Sequence, residues 1–142
     1  MSISIKSRKA KGRNFQQYIA KKISQLLNIP EEKDGDIESR PMGQAGTDII
    51  LRGKALKLFP FAVENKNQES WSIHGWIKQA KTNQTKNTDW LLFCKRNHDE
   101  PVVVLDVDVF FKIYSTLLSL KDDNDYLRDE NSSKLEKNND SL

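Results

Sequence analysis

Phe15, Ile19, Ile23, Leu26 and Leu27 recur at helical spacing near the start of the chain. The pattern predicts an amphipathic helix over about 9–27 with most of its Lys and Arg residues off the buried stripe. Pro30 cannot continue that helix, and "EEKDGD" after it reads as a charged turn. "IESRPM" is predicted as a short extended segment, and "TDIIL" and "FAVENK" as strands. Residues 53–60 connect the last two, with room for a helical turn. Ile73, Trp76, Ile77 and Ala80 fall at i, i+3, i+4 and i+7, which predicts a helix over about 72–85. "DWLLFCK" and "PVVVLDV" follow as strands around the polar loop "RNHDE", and "DVFFKIYSTLLSL" as a closing helix. The predicted order is α-β-β-β-α-β-β-α. Beyond Leu120 the chain is rich in Asp, Asn, Ser and Lys and nearly free of apolar residues, so it is expected to lack order or to form a frayed helix. The expected organisation is one domain over 1–120 and an acidic tail over 121–142.

Two apolar runs contain a carboxylate that a core strand would avoid: Asp48 in "TDIIL" and Glu64 in "FAVENK". A charge is costly to desolvate unless it is paired or holds a cation, so these acids point to a task. Side chains two apart in a strand share a face about 6.6–7 Å apart. Glu64 and Lys66 are therefore neighbours on one face, and an adjacent strand can deliver Asp48 beside them. Such a pair suits a hard divalent cation such as Mg²⁺, which takes a few carboxylate oxygens plus waters and phosphate oxygens. The lysine then stands where it can orient an attacking water or neutralise charge on a phosphodiester. The spacing is not specific in itself, because Glu31 and Lys33 repeat it in the turn after Pro30.

Charge changes the picture further. The first 30 residues hold seven Lys and Arg and no acid. That is the footprint of a phosphate-binding surface, or a solvated helix face. The net charge of +3 conceals a basic body and an acidic tail, with +6 over residues 1–120 and −3 over 121–142. No apolar run approaches the roughly 20 residues that span a bilayer, and the basic N-terminus lacks the apolar core of a secretory signal. A cytoplasmic location and no membrane association are expected. Cys94 is the one cysteine. It reads as core packing, and His74 and His98, with no third His or Cys nearby, as surface residues.

With "KAKGRNFQ", "RPMGQAGTDIIL", "FPFAVENKNQ", "WIKQA" and "CKRN" followed by "PVVVL", residues 9–105 resemble a PD-(D/E)xK nuclease. Within that superfamily the chain is similar to archaeal-type and phage Holliday junction resolvases. The resemblance implies an α/β fold, a mixed central sheet flanked by helices in a restriction-endonuclease-like core. It implies hydrolysis of DNA with Mg²⁺, for which Mn²⁺ can substitute, and a homodimer that presents two sites to a four-way junction. Asp48 and Glu64 would hold the metal, Lys66 would act on the water and phosphate, and Gln79 would face the site from the second helix, although its place off the apolar stripe also suits a solvent-facing residue. The resolvases carry a glutamate four residues after the glycine of the first helix. Here that position is Gln16, whose amide can hold a metal-bound water but brings no charge. Thr47 stands where a proline would precede the first acid.

The expected function is thus a metal-dependent, structure-specific DNA endonuclease. Lys9, Lys11, Arg13 and Arg40 would grip backbone phosphates, which positions DNA without reading its sequence. The alternatives are a repair or recombination exonuclease of the same superfamily and a nucleic-acid-binding module without catalysis.

Overall fold

The computed structural model describes residues 4–139. The order is α1 (Ile5–Leu27), β1 (Ile37–Ser39), β2 (Ile49–Leu51), α2 (Gly53–Leu58), β3 (Phe61–Asn67), α3 (Ile73–Asn83), β4 (Asp89–Lys95), β5 (Val102–Val104) and α4 (Val107–Asn139). The predicted sequence of elements is present, with one short helix, α2, in the expected connection. The chain divides between Leu105 and Asp106 into two compact units.

In the first unit the five strands form one sheet in the order β1-β2-β3-β4-β5. All neighbours are antiparallel except β3 and β4, which run parallel with Val63 beside Leu91 and Glu64 beside Leu92. A parallel pair needs a crossover, and α3 supplies it. This is the mixed sheet with flanking helices that the sequence led us to expect.

Side-chain alternation along β3 sends its residues to two different cores. Val63 packs with Phe15, Ile19 and Ile23 of α1 and with Ile37 and Ile49. On the other face Leu92 and Cys94 pack with Trp76 and Ala80 of α3 and with Trp90. Each fully buried side chain of this size contributes about 1.5–3 kcal/mol. Glu64, in register with Leu92, belongs to the α3 face.

Local chemistry sets the element ends. Ser4 caps α1 by accepting a hydrogen bond from the Ser7 amide, and Asn28 closes it in the left-handed conformation with φ 55°. α1 therefore starts four residues earlier than its apolar stripe suggested. β1 stops at Ser39, short of the expected extent, because Pro41 cannot donate to a ladder.

The second unit is α4. Asp106 caps it, its Oδ1 accepting from the amides of Asp108 and Val109 at 2.9 and 3.4 Å. The helix runs on past Leu120, through the stretch expected to lack order or to form a frayed helix, to Asn139. No Pro or Gly interrupts it. Thr116 and Ser132 bond to the carbonyls four residues back, and Tyr126 to Glu130. Polarity, on which the first of those alternatives rested, does not itself oppose a helix. No described helix is long and apolar enough to cross a membrane.

Candidate active site

The register of β2 on β3 explains how two acids come together. Ile49 pairs with Val63, both facing α1. One step further the Asp48 amide donates to the Val63 carbonyl at 2.9 Å. The same antiparallel spacing sets Asp48 across from Glu64, on the face opposite Val63. Lys66, two residues on, shares that face. The structure thus brings Asp48, Glu64 and Lys66 to one end of the β2–β3 pair.

Each acid is held by donors from other elements. Asp48 Oδ2 accepts from the Asn65 amide at 2.7 Å. Glu64 is fully buried, and its Oε1 accepts from Asn83 Nδ2 at 2.6 Å. The other Glu64 oxygen, Oε2, is buried without a hydrogen-bond partner. Burial and the Asp48 charge push the Glu64 carboxyl up to about 7, against the opposing pull of Asn83 and Lys66. Burial also raises the Asp48 carboxyl, offset by the Asn65 amide and by the charges of Lys66 and Arg40. The two acids also act on each other, the neighbouring Asp48 raising the Glu64 carboxyl and the neighbouring Glu64 lowering that of Asp48.

Asp48 lies on a cleft of about 790 Å³ whose wall also includes Lys66, Gln16, Gln79, Lys9, Lys11 and Arg40. Glu64 sits behind that wall. Arg13 is exposed but is not on it. Gln79 is exposed on α3 and faces the cleft. Arg40 is fixed by its Nε, which donates to the Thr47 carbonyl at 2.6 Å. Its guanidinium passes so close to Gly46 that a Cβ there would lie 2.8 Å from it, and Gly46 has φ +112°. Only glycine suits that position.

Gln16 has a structural role beside the one its place in the first helix suggested. It is buried, and its Nε2 donates to the carbonyls of Arg40 and Asp48, both at 2.8 Å. The amide pins α1 to the segment that carries the first acid. A carboxylate could not donate those bonds. Gln16→Glu should therefore lower stability by about 2 kcal/mol or more, by losing two hydrogen bonds and setting a charge against two carbonyls. Urea unfolding at neutral pH measures it. An unchanged midpoint would show that the two bonds carry no weight.

Asn83 is the residue that sequence reasoning missed. Its Nδ2 donates to Glu64 Oε1 and also to the Gly46 carbonyl at 3.2 Å. One amide thus joins the end of α3, the loop before Asp48 and the buried acid. A signal was present: Asn83 falls seven residues after Trp76 and three after Ala80, on the apolar stripe of α3, where a polar side chain calls for a buried partner. Asn65 was also passed over. It lines the cleft, and both polar atoms of its side chain are buried without a partner.

The remaining readings of single residues find simple places. Cys94 is buried, and burial pushes its thiol up to about 11, as for an inert core cysteine. His74 and His98 are exposed. Glu31, of the repeated spacing, accepts a hydrogen bond from Ser39 Oγ at 2.9 Å on the surface.

A mixed five-stranded sheet between helices, with two opposed acids and a lysine at the end of a strand pair, defines a restriction-endonuclease-like core of the PD-(D/E)xK type. The chain belongs to the family described as Phage putative PDDEXK endonuclease, whose family model matches residues 7–141. No curated protein and no solved structure matches it. Membership implies a nuclease with DNA as its substrate class, and nucleases of this superfamily generally depend on a divalent metal.

Proposed function

We propose that the protein is a Mg²⁺-dependent endonuclease that cuts branched DNA, most specifically a four-way junction, as a homodimer in the cytoplasm. The observation that carries the reading is the register that opposes Asp48 and Glu64 at a cleft walled by Lys9, Lys11, Arg40 and Lys66. A basic cleft holds phosphates, and acids beside phosphates have no use in a module that only binds.

The donor set fits a hard divalent cation. Two carboxylates converge, and the Glu64 oxygen left without a donor is the kind of atom a cation satisfies. A pair of carboxylates suits Mg²⁺, which keeps several waters, and Mn²⁺ could take its place. A cation bound there would lower the pKa of a water and draw charge from the phosphate. Asn83 keeps one Glu64 oxygen occupied, so that the other remains for the cation. Lys66 orients the attacking water or neutralises charge developing on the phosphate. Gln79, which lines the cleft from α3, would hydrogen-bond the water or a phosphate oxygen. Lys9, Lys11 and Arg40 hold the DNA backbone whatever its sequence.

The decisive experiment is a cleavage assay with Mg²⁺ on matched four-way junction, fork, duplex and single-stranded DNA. Paired symmetric cuts in the junction are expected. Degradation from ends would instead make the protein an exonuclease, and binding without cutting a non-catalytic module. Lys9→Ala with Lys11→Ala should weaken binding to all sequences alike and reduce the salt slope by about 0.9 per lost contact. Arg13→Ala, off the cleft wall, should change the slope less. An unchanged slope in the double variant would place the DNA elsewhere.

A further inference from the structure

α4 poses a problem of its own. Every residue from Phe110 to Asn139 is exposed, yet the helix carries large apolar side chains, among them Phe110, Ile113, Leu117, Leu120 and Leu127. Helices in water draw most of their stability from packing an apolar face. Those five residues are not scattered. They fall on a seven-residue repeat: Phe110 and Leu117 at its first position, Ile113, Leu120 and Leu127 at its fourth. Asn124 and Asn131 continue the first position. Seven consecutive core positions thus run from Phe110 to Asn131, a repeat of 3.5 residues that winds two helices into a left-handed supercoil.

A second apolar row, Val107, Phe111, Tyr114 and Leu118, stops where Lys121 and Asp122 follow. It is too short to define a seam.

We propose that α4 pairs with α4 of a second copy of this chain as a parallel, in-register two-stranded coiled coil. Two features select this occupant. Asn at the first heptad position fixes register and favours two strands, at some cost in stability. The positions flanking the seam are complementary to themselves in the parallel arrangement alone: Asp123, at the seventh position of its heptad, meets Arg128 of the other copy at the fifth position of the next. By symmetry the contact forms twice. An antiparallel pair would not bring these two residues together. The helix has 33 residues, about 50 Å at 1.5 Å per residue, long enough for the whole seam. This gives the homodimer proposed above a named interface, but it does not depend on the chemistry of the cleft.

The test uses the full chain without DNA or metal. Light scattering after size exclusion, at tens of micromolar protein, should give twice the 16.4 kDa of one chain. Leu117→Lys with Leu120→Lys should give one chain's mass while the melting temperature of the sheet-bearing unit stays within a few degrees. Asn124→Cys should form a covalent dimer on mild oxidation, and Ser115→Cys, on the outer side of the helix, should not. A wild-type chain of single mass would overturn the proposal and leave the stripe to a different protein. A dimer that survives the double lysine variant would place the interface elsewhere. A dimer in which Asn124→Cys fails to cross-link would refute the parallel register. Each result is a mass, so none bears on whether the cleft cuts DNA.

Discussion

Glu64→Gln and Asp48→Asn should each reduce cleavage of a four-way junction about 1,000-fold or more while leaving binding intact. Both changes keep side-chain shape and remove a charge proposed to hold the cation. A metal's stabilisation of charge in the transition state is worth several kcal/mol, and each 1.36 kcal/mol is about tenfold in rate. Binding should rest instead on Lys9, Lys11 and Arg40, which line the cleft. Without metal, and above pH 7 where Glu64 is ionised, it should tighten in the variants, because an unneutralised acid repels the phosphate beside it. Lys66→Ala should also abolish cutting, through the water and phosphate rather than the cation. Glu31→Gln is the control, since it removes an identical charge in the same local spacing, but on a surface turn where the acid accepts only from Ser39. Paired cleavage assays and gel shifts measure these outcomes, with a thermal melt to exclude unfolding. Near wild-type cutting by folded Glu64→Gln protein would end the assignment of this site.

How far the site could be read in the sequence depended on whether its geometry is local. The common face of Glu64 and Lys66 follows from strand alternation and needs no tertiary information. Asp48 required only that the neighbouring strand pair in one register, which the apolar alternation Ile49 and Val63 enforces, because a one-residue slip would bury the wrong face. The basic wall was only partly legible. Helical spacing puts Arg8, Gly12 and Gln16 on one stripe, and the cleft follows it, while Arg13 lies off the wall despite belonging to the same charge run. Charge density alone does not give direction.

Amides were harder to place than acids. Gln16 and Asn83 can donate or accept, and which they do depends on carbonyls that the fold delivers from 24 to 37 residues away. The fate of α4 was obscured for a different reason. Its second half is polar enough to resemble a disordered tail, and its heptads become visible only once the helix is known to continue past Leu120. Composition measures whether a segment can bury itself. It does not measure whether a second chain can bury it.

The same glutamate that is proposed to serve cutting should weaken the fold. In the native protein without metal its carboxyl is raised to about 7 from an ordinary value of 4.5. Below pH 4.5 it is protonated in both folded and unfolded chains, and its contribution is at its most favourable. As pH climbs through 4.5 the unfolded chain releases the proton while the folded one retains it, so stability falls until the folded group also ionises near pH 7. At 1.36 kcal/mol per pKa unit the loss is on the order of 3 kcal/mol. Glu64→Gln has nothing to ionise and can still accept from Asn83, and its amide can donate toward Asp48 at every pH. The variant should therefore melt above wild type at pH 8 in EDTA, by several degrees, and the gap should close towards pH 4.5. Mg²⁺ should raise the wild-type melt at pH 8 more than the variant's, because binding displaces the proton or relieves the buried charge only where a carboxylate exists. Melting curves at pH 4.5 and 8, with EDTA or Mg²⁺, provide the measurement. A wild-type protein whose melt is flat across that range would mean that Glu64 ionises as easily inside the fold as in water.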